Sequence, residues 1–146
     1  MWQPIRFSIA VLVGIMMTIT TPDITKAADA KCRKPVRYAG VIGLRAEKIA
    51  EYKELHAAIW PEVAKAVRDA NIRNYSIYLK KLPDGNYCLF SYFEYVSDDF
   101  ASDMAKLSDN ADVRRWWSVT EPCQAPFDDR KPGEWWASME EVFHYD

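Results

Sequence analysis

The chain holds two histidines, His56 and His144, and only His56 stands in company that points to chemistry. Tyr52 precedes it by four residues, so on a helix the phenol and the imidazole share a face and reach the same small molecule. An imidazole, with an ordinary pKa near 6.5, exchanges protons close to neutrality, which makes His56 a candidate general acid and base. The competing reading is a structural histidine on a buried stripe, and the residue types alone satisfy both. His144, in a terminal apolar segment, reads as structural or solvated. Flat apolar surface comes from two tryptophan pairs, Trp116-Trp117 and Trp135-Trp136. Neighbouring positions on a helix point about 100° apart, so the first pair is not expected to be equally buried, and one indole is available to line a cavity. Two core tryptophans are the alternative. The second pair either covers a pocket, joins subunits, or simply packs. Indole faces together with phenols and an imidazole match a small polar ligand with one apolar side, a pyranose being the type.

These residues need elements to hold them. Val36 to Leu44 alternates and carries Gly40 and Gly43, which predicts a strand with close backbone approach. From Ala46 the period changes: Ile49, Tyr52, His56, Ile59, Trp60, Val63 and Val67 recur at helical steps, the stripe of a helix against a sheet. Pro61 cannot donate to the preceding turn, so a break near Ile59-Trp60 and a second helical piece to about Ala70 are predicted. Asn74 to Lys80 reads as a strand, Pro83-Asp84-Gly85-Asn86 as a turn and Tyr87 to Val96 as its hairpin partner. Ser97-Asp98-Asp99 is placed to cap a helix through Leu107, with a further helical stretch from Asp109 to about Val119. Pro122 and Pro126 open an irregular segment, and Met139 to Tyr145 reads as a last short strand. The resulting order, strand, helix, strand, strand, helix, strand, is the ferredoxin-like α+β arrangement: an antiparallel sheet with helices on one face.

A chain of 146 residues, 49% of them hydrophobic and 27% charged, makes one packed domain and is too apolar for a disordered one. The formal net charge of −2 leaves no basic surplus to hold phosphate backbones, which excludes nucleic acid as the expected partner. Residues 1–30 read as a secretory signal peptide: Arg6, an apolar run from Phe7 to Ile19, then the small-x-small site Ala28-Asp29-Ala30. The run is too short for a stable span of a roughly 30 Å hydrocarbon core. Cleavage after Ala27 and retention as an uncleaved anchor are the competing readings. An exported mature domain over residues 31–146 is expected, with no membrane attachment after cleavage. Its three cysteines, Cys32, Cys88 and Cys123, read in an oxidising compartment as one pair plus a free thiol, with the pairing open. No Cys and His spacing suits a zinc site.

Four stretches, taken together, resemble the L-rhamnose mutarotases: Tyr52-Lys53-Glu54-Leu55-His56-Ala57-Ala58-Ile59-Trp60-Pro61-Glu62, Asn74-Tyr75-Ser76-Ile77-Tyr78-Leu79, Arg115-Trp116-Trp117, and Met139-Glu140-Glu141-Val142-Phe143-His144. The resemblance spans nearly all of the expected mature chain, from about Val36 to Tyr145, and its most specific part is the Tyr-x-x-x-His-x-x-x-Trp-Pro-Glu string. It implies a dimeric ferredoxin-like protein that interconverts the α and β anomers of L-rhamnopyranose without metal or organic cofactor. It further implies that His56 donates the proton and that Tyr52, Tyr75, Trp116 and Trp117 bind the sugar. Strand parity agrees, since Tyr75 shares its side with Ile77 and Leu79 and so faces the helix layer. Nothing is carried over to His144. The apparent leader and the additional cysteines Cys32 and Cys88 depart from the family pattern and leave the preferred sugar open. Because fold does not dictate function, a non-catalytic sugar-binding module and a cofactor-independent monooxygenase stand as rival readings of the same aromatic pocket.

Overall fold

A computed structural model describes residues 34–145. The expected leader over residues 1–30, and Cys32, lie outside the described residues. Strand β1 (Val36–Leu44) runs along the middle of an antiparallel sheet, flanked by β3 (Tyr87–Tyr95), which in turn pairs with β2 (Ile72–Lys81). The other edge of β1 is shared by two short pieces, β4 (Gln124–Ala125) and β5 (Ala137–Met139). Gly43 permits the closest of these approaches: a Cβ there would lie 2.6 Å from the Ala125 carbonyl oxygen.

Four helices complete the α+β architecture: α1 (Ile49–Ala57), α2 (Pro61–Asp69), α3 (Phe100–Asp109) and α4 (Ala111–Thr120). A 3₁₀ turn, Ala46–Lys48, leads into α1. The break between α1 and α2 falls where Pro61 demands it, with Trp60 extended (φ −62°, ψ 132°) and Pro61 in the first turn of α2. Asp99 caps α3 by accepting from the Ser102 amide at 3.1 Å. Asn110 caps α4 by accepting from the amides of Asp112 and Val113, at 2.9 and 3.1 Å. Buried Asp103 on α3 accepts from Asn71 Nδ2, Tyr95 Oη and Lys106 Nζ, at 2.8, 2.9 and 3.0 Å. These donors, Asn71 first, hold its carboxyl below the usual carboxylate range and tie α3 to the ends of β2 and β3.

The core is one side of the sheet. Ile42, Leu44 and Leu89 pack with Tyr52 of α1 and with Cys123, and Ile49, Ile77, Leu79, Tyr87 and Trp136 close around them. Strand β2 keeps both of its ends on this face through a bulge. Between Arg73 and Ser76 it carries one residue more than β3, with Asn74 in the left-handed region at φ 49°. The extra residue shifts the parity, so Ile72, opposite Tyr95, and Tyr75, Ile77 and Leu79 beyond the bulge all lie on the core side.

Two expectations are corrected. The last strand is not Met139 to Tyr145 but Ala137–Met139, and residues 140–145 form no strand. In the register that sets Ala39 opposite Met139, Glu141 falls beside Arg37 and the two make an ion pair of 2.8 Å, after which β1 ends at Val36. Val142 and Phe143 lie outside the paired strand, 88% and 80% exposed. Cys88 and Cys123 do not pair; both are buried free thiols. Cys123 packs with Leu89, whereas Cys88, next to Leu89 on a pleated strand, points to the other face, so the sheet separates the two sulfurs. Desolvation raises both thiols above their ordinary range.

Candidate active site

Helix α1 carries Tyr52 and His56 one turn apart, and their rings stack with centroids 4.0 Å apart. Tyr52 is buried at 4% exposure, while His56 is partly open. The imidazole is oriented by its own helix: Nδ1 lies 2.9 Å from the Tyr52 carbonyl oxygen. A carbonyl only accepts, so Nδ1 carries the proton of that hydrogen bond and Nε2 is left for exchange. Burial lowers the pKa of His56 from the ordinary 6.5, and the bond to the Tyr52 carbonyl opposes this in part. The ring is therefore neutral, with a free lone pair on Nε2, at neutral pH.

Helix α4 supplies the opposing wall. The edge of the Trp116 indole meets His56 with centroids 5.2 Å apart, and Trp60 meets Trp116 at the same distance. The Arg115 guanidinium lies over Trp60, 4.7 Å from the ring centroid. As helical geometry requires, the two indoles differ: Trp116 is 6% exposed and Trp117 only partly buried. Strand β2 brings Tyr75, whose ring edge packs on Phe93 with centroids 5.6 Å apart. Nearly half of the Tyr75 surface is open, yet desolvation raises its phenol; desolvation also raises Tyr52 above its ordinary range, with Tyr75 adding to it and the Gln124 side chain opposing it. Both hydroxyls are protonated at neutral pH and able to donate.

Tyr52, His56, Tyr75, Trp116 and Trp117 all line one cleft of about 270 Å³, the five residues singled out from the sequence. Its volume suits one small ligand. An apolar groove of about 510 Å³ adjoins it across His56, Tyr75, Ile77, Trp116 and Trp117. His144 does not line the cleft. Thr120, Glu121 and Gln124 also line it and escaped the sequence reading; Ile77 lines it from the side it shares with Tyr75, and Trp135 and Trp136 turn in from the proline-rich segment. The second tryptophan pair thus covers the pocket, and Trp136 packs on the core as well. Gln124 gave one weak signal, an amide between two small residues, Cys123 and Ala125; nothing local ties it to Tyr52. Among the described residues no group of three or more His, Cys, Asp or Glu side chains is arranged to hold a metal ion.

Comparison with known proteins agrees with the motifs. Residues 37–145 match the family model described as L-rhamnose mutarotase. The L-rhamnose mutarotase of Lactiplantibacillus plantarum is 31% identical over 112 residues, covering 76% of this chain and 99% of that protein. That of Bacillus subtilis is 31% identical over 110 residues, covering 75% and 98%. A crystal structure of L-rhamnose mutarotase from Formosa agariphila superposes with a TM-score of 0.54 at 26% identity, over 76% of this chain and 99% of that one. With the cleft, the motifs and these relatives in agreement, the chain belongs to the L-rhamnose mutarotase family.

Proposed function

We propose that the protein is an isomerase that interconverts the α and β anomers of L-rhamnopyranose, with His56 carrying the proton and Tyr52, Tyr75, Trp116 and Trp117 holding the sugar. The observation that carries this reading is that these five side chains, from α1, β2 and α4, meet in one monosaccharide-sized cleft in a chain of this family. Ring opening needs little else. Neutral His56 takes the O1 proton on Nε2; as the C1=O1 bond forms, the C1–O5 bond breaks, and the imidazolium returns the proton to O5. Both oxygens bond to C1, so one nitrogen serves both. The aldehyde turns about C1–C2 and the steps reverse on its other face. Tyr52 and Tyr75, kept as phenols, donate to sugar oxygens, while the indoles and Ile77 meet its apolar C–H face and methyl group. Because free sugars already exchange anomers slowly in water, a positioned acid and base worth roughly 10²–10⁴-fold is sufficient.

The test is saturation-transfer NMR: irradiation of one anomeric proton of L-rhamnose is expected to diminish the other with wild type, and His56→Ala is expected to lower the exchange rate by about 10²-fold or more. Exchange at the buffer rate with wild type, while rhamnose still binds, would favour the non-catalytic sugar-binding reading instead.

Three further features belong to the same reading. The strand order β2-β3-β1-β4 with helices after β1 and β3 supports a ferredoxin-like topology. A homodimer fits the second sheet face, where Val41, Phe90 and Tyr92 stay partly open and Tyr78 is 66% exposed; light scattering on the purified protein tests it. Export by the apolar run Phe7 to Ile19 predicts a mature protein beginning near Lys31 outside the cytoplasm. An intact N-terminus in the cytoplasmic fraction would refute it.

A further inference from the structure

The residues of the proposed chemistry are mostly donors. Tyr52 and Tyr75 offer hydroxyl protons, Trp116 and Trp117 offer indole N–H groups, and the lone pair of His56 Nε2 is committed to O1 and O5. A sugar hydroxyl donates as well as accepts, so the hydroxyls away from C1 call for an acceptor. Among the described residues, Glu121 is the only carboxylate that lines the cleft. It is half-buried, and its side chain makes no hydrogen bond or ion pair with another described residue.

Three positions on, Gln124 lines the same cleft at 5% exposure. Its Oε1 accepts a hydrogen bond of 2.6 Å from Trp135 Nε1. An indole N–H only donates, so the end of the amide left over is Nε2, a donor. Nε2 makes no hydrogen bond with another described residue, although every fully buried side-chain nitrogen and oxygen among them has a partner. It is therefore open, and the space that Gln124 lines is the cleft. The backbone brings the two residues together: the Gln124 amide donates to the Glu121 carbonyl and closes the 3₁₀ turn Glu121–Cys123, in which positions three apart share a side. Pro122 stiffens this turn. The Arg45 amide donates to the Cys123 carbonyl at 2.9 Å, and Gln124 pairs with Leu44 in the sheet. Backbone contacts thus hold the turn, and both polar ends are left for a ligand.

Resting on the function proposed above, we infer that Glu121 and Gln124 form a specificity subsite that reads two neighbouring hydroxyls of the pyranose away from C1. The Glu121 carboxylate accepts from one, and Gln124 Nε2 donates to the other. An acceptor beside a donor matches a vicinal diol, in which one hydroxyl gives its proton and the next receives one. A sugar lacking either hydroxyl leaves a polar group of the cleft unpaired and binds less well. Neither residue meets a reacting atom, so the pair selects the sugar and leaves proton transfer to His56.

Saturation-transfer NMR on the full-length protein tests this, with KM and kcat measured for L-rhamnose and for analogues lacking O2, O3 or O4. Glu121→Ala is expected to raise KM for L-rhamnose about tenfold, the loss of a hydrogen bond to a charged group, with kcat changed far less. Glu121→Gln, which keeps an acceptor without the charge, is expected to restore part of that loss. Wild type is expected to penalise the absence of two adjacent hydroxyls, and Glu121→Ala to be indifferent to one of them. Gln124→Met is expected to raise KM about fivefold and to be indifferent to the other. Near-UV circular dichroism confirms native tryptophan packing; if Gln124→Met loses it, Gln124→Glu, which keeps an acceptor for Trp135, takes its place. Penalties for each missing hydroxyl that stay as in wild type would overturn the subsite while leaving the mutarotase reading intact. A Glu121→Ala variant that lowers kcat and leaves KM unchanged would overturn it too, by placing the carboxylate in the chemistry. If wild type binds rhamnose without exchange, the same comparison is read on Kd. If wild type neither binds nor exchanges rhamnose, the function falls, and this inference with it.

Discussion

Trp116-Trp117 and Trp135-Trp136 reach the same cleft by different means. In the first pair, the helical period of α4 places Trp116 on the buried stripe with Val113 and Thr120 and leaves Trp117 one position round it. In the second pair, Trp136 packs on the core, while Trp135 stays 40% exposed and is anchored by a side-chain hydrogen bond to Gln124. One wall of the cleft is therefore part of the hydrophobic core. The other is a loop adjusted by polar contacts, and the two walls are expected to answer mutation differently.

The largest effect falls on the core wall. Trp116→Ala should cost about 3–5 kcal/mol in stability, a large share of a domain's total of about 5–15 kcal/mol. It also removes the edge contact with His56, and a denaturant midpoint reads the cost. A loss below about 1 kcal/mol would erase the distinction between the walls. Next, Gly43→Ala would drive a methyl to 2.6 Å from the Ala125 carbonyl oxygen and displace β4 with Gln124, a cost of about 1–3 kcal/mol. Gly40→Ala is the control and should cost less, since its nearest contact, Ser91 Oγ at 3.3 Å, is a side-chain atom.

The third effect is pH. Because the folded protein holds His56 below its ordinary 6.5, the unfolded chain takes up the proton more readily. Stability should fall as pH drops from about 6.5 towards the lower folded value, then level off. Activity that depends on neutral His56 should persist somewhat below pH 6.5 before it declines. His56→Asn removes this contribution to the stability profile, and a profile unchanged by that substitution would place the titration elsewhere. The smallest stability effect belongs to the loop wall: Trp135→Ala should cost about 1 kcal/mol or less while raising KM for rhamnose. Urea titration paired with the exchange assay separates the two.

Much of the cleft was legible before any coordinates because its parts are local. Tyr52 and His56 share a face at any four-residue helical spacing, and the proline at position 61 ends α1 by removing a donor. The α3 and α4 starts were readable from Asp99 and from the helical stretch beyond Leu107, although the Asn110 cap between them was not foreseen. Tyr75 faces the cleft as parity required, but Ile72 joins the same side only through the bulge at Asn74, which no alternation pattern reveals.

The strands and helices from Val36 to Thr120, the break at Pro61 and the Tyr52–His56 pair followed from the sequence alone, because each depends on residues within a turn or a pleat of one another. Tertiary structure decided the rest. It cut the last strand short at Met139, and it put the sheet between Cys88 and Cys123. It also set Gln124 against Trp135. Contacts of that kind arise only when distant segments close on a common core, and the periodicity of any one segment carries no record of which partner the closure brings.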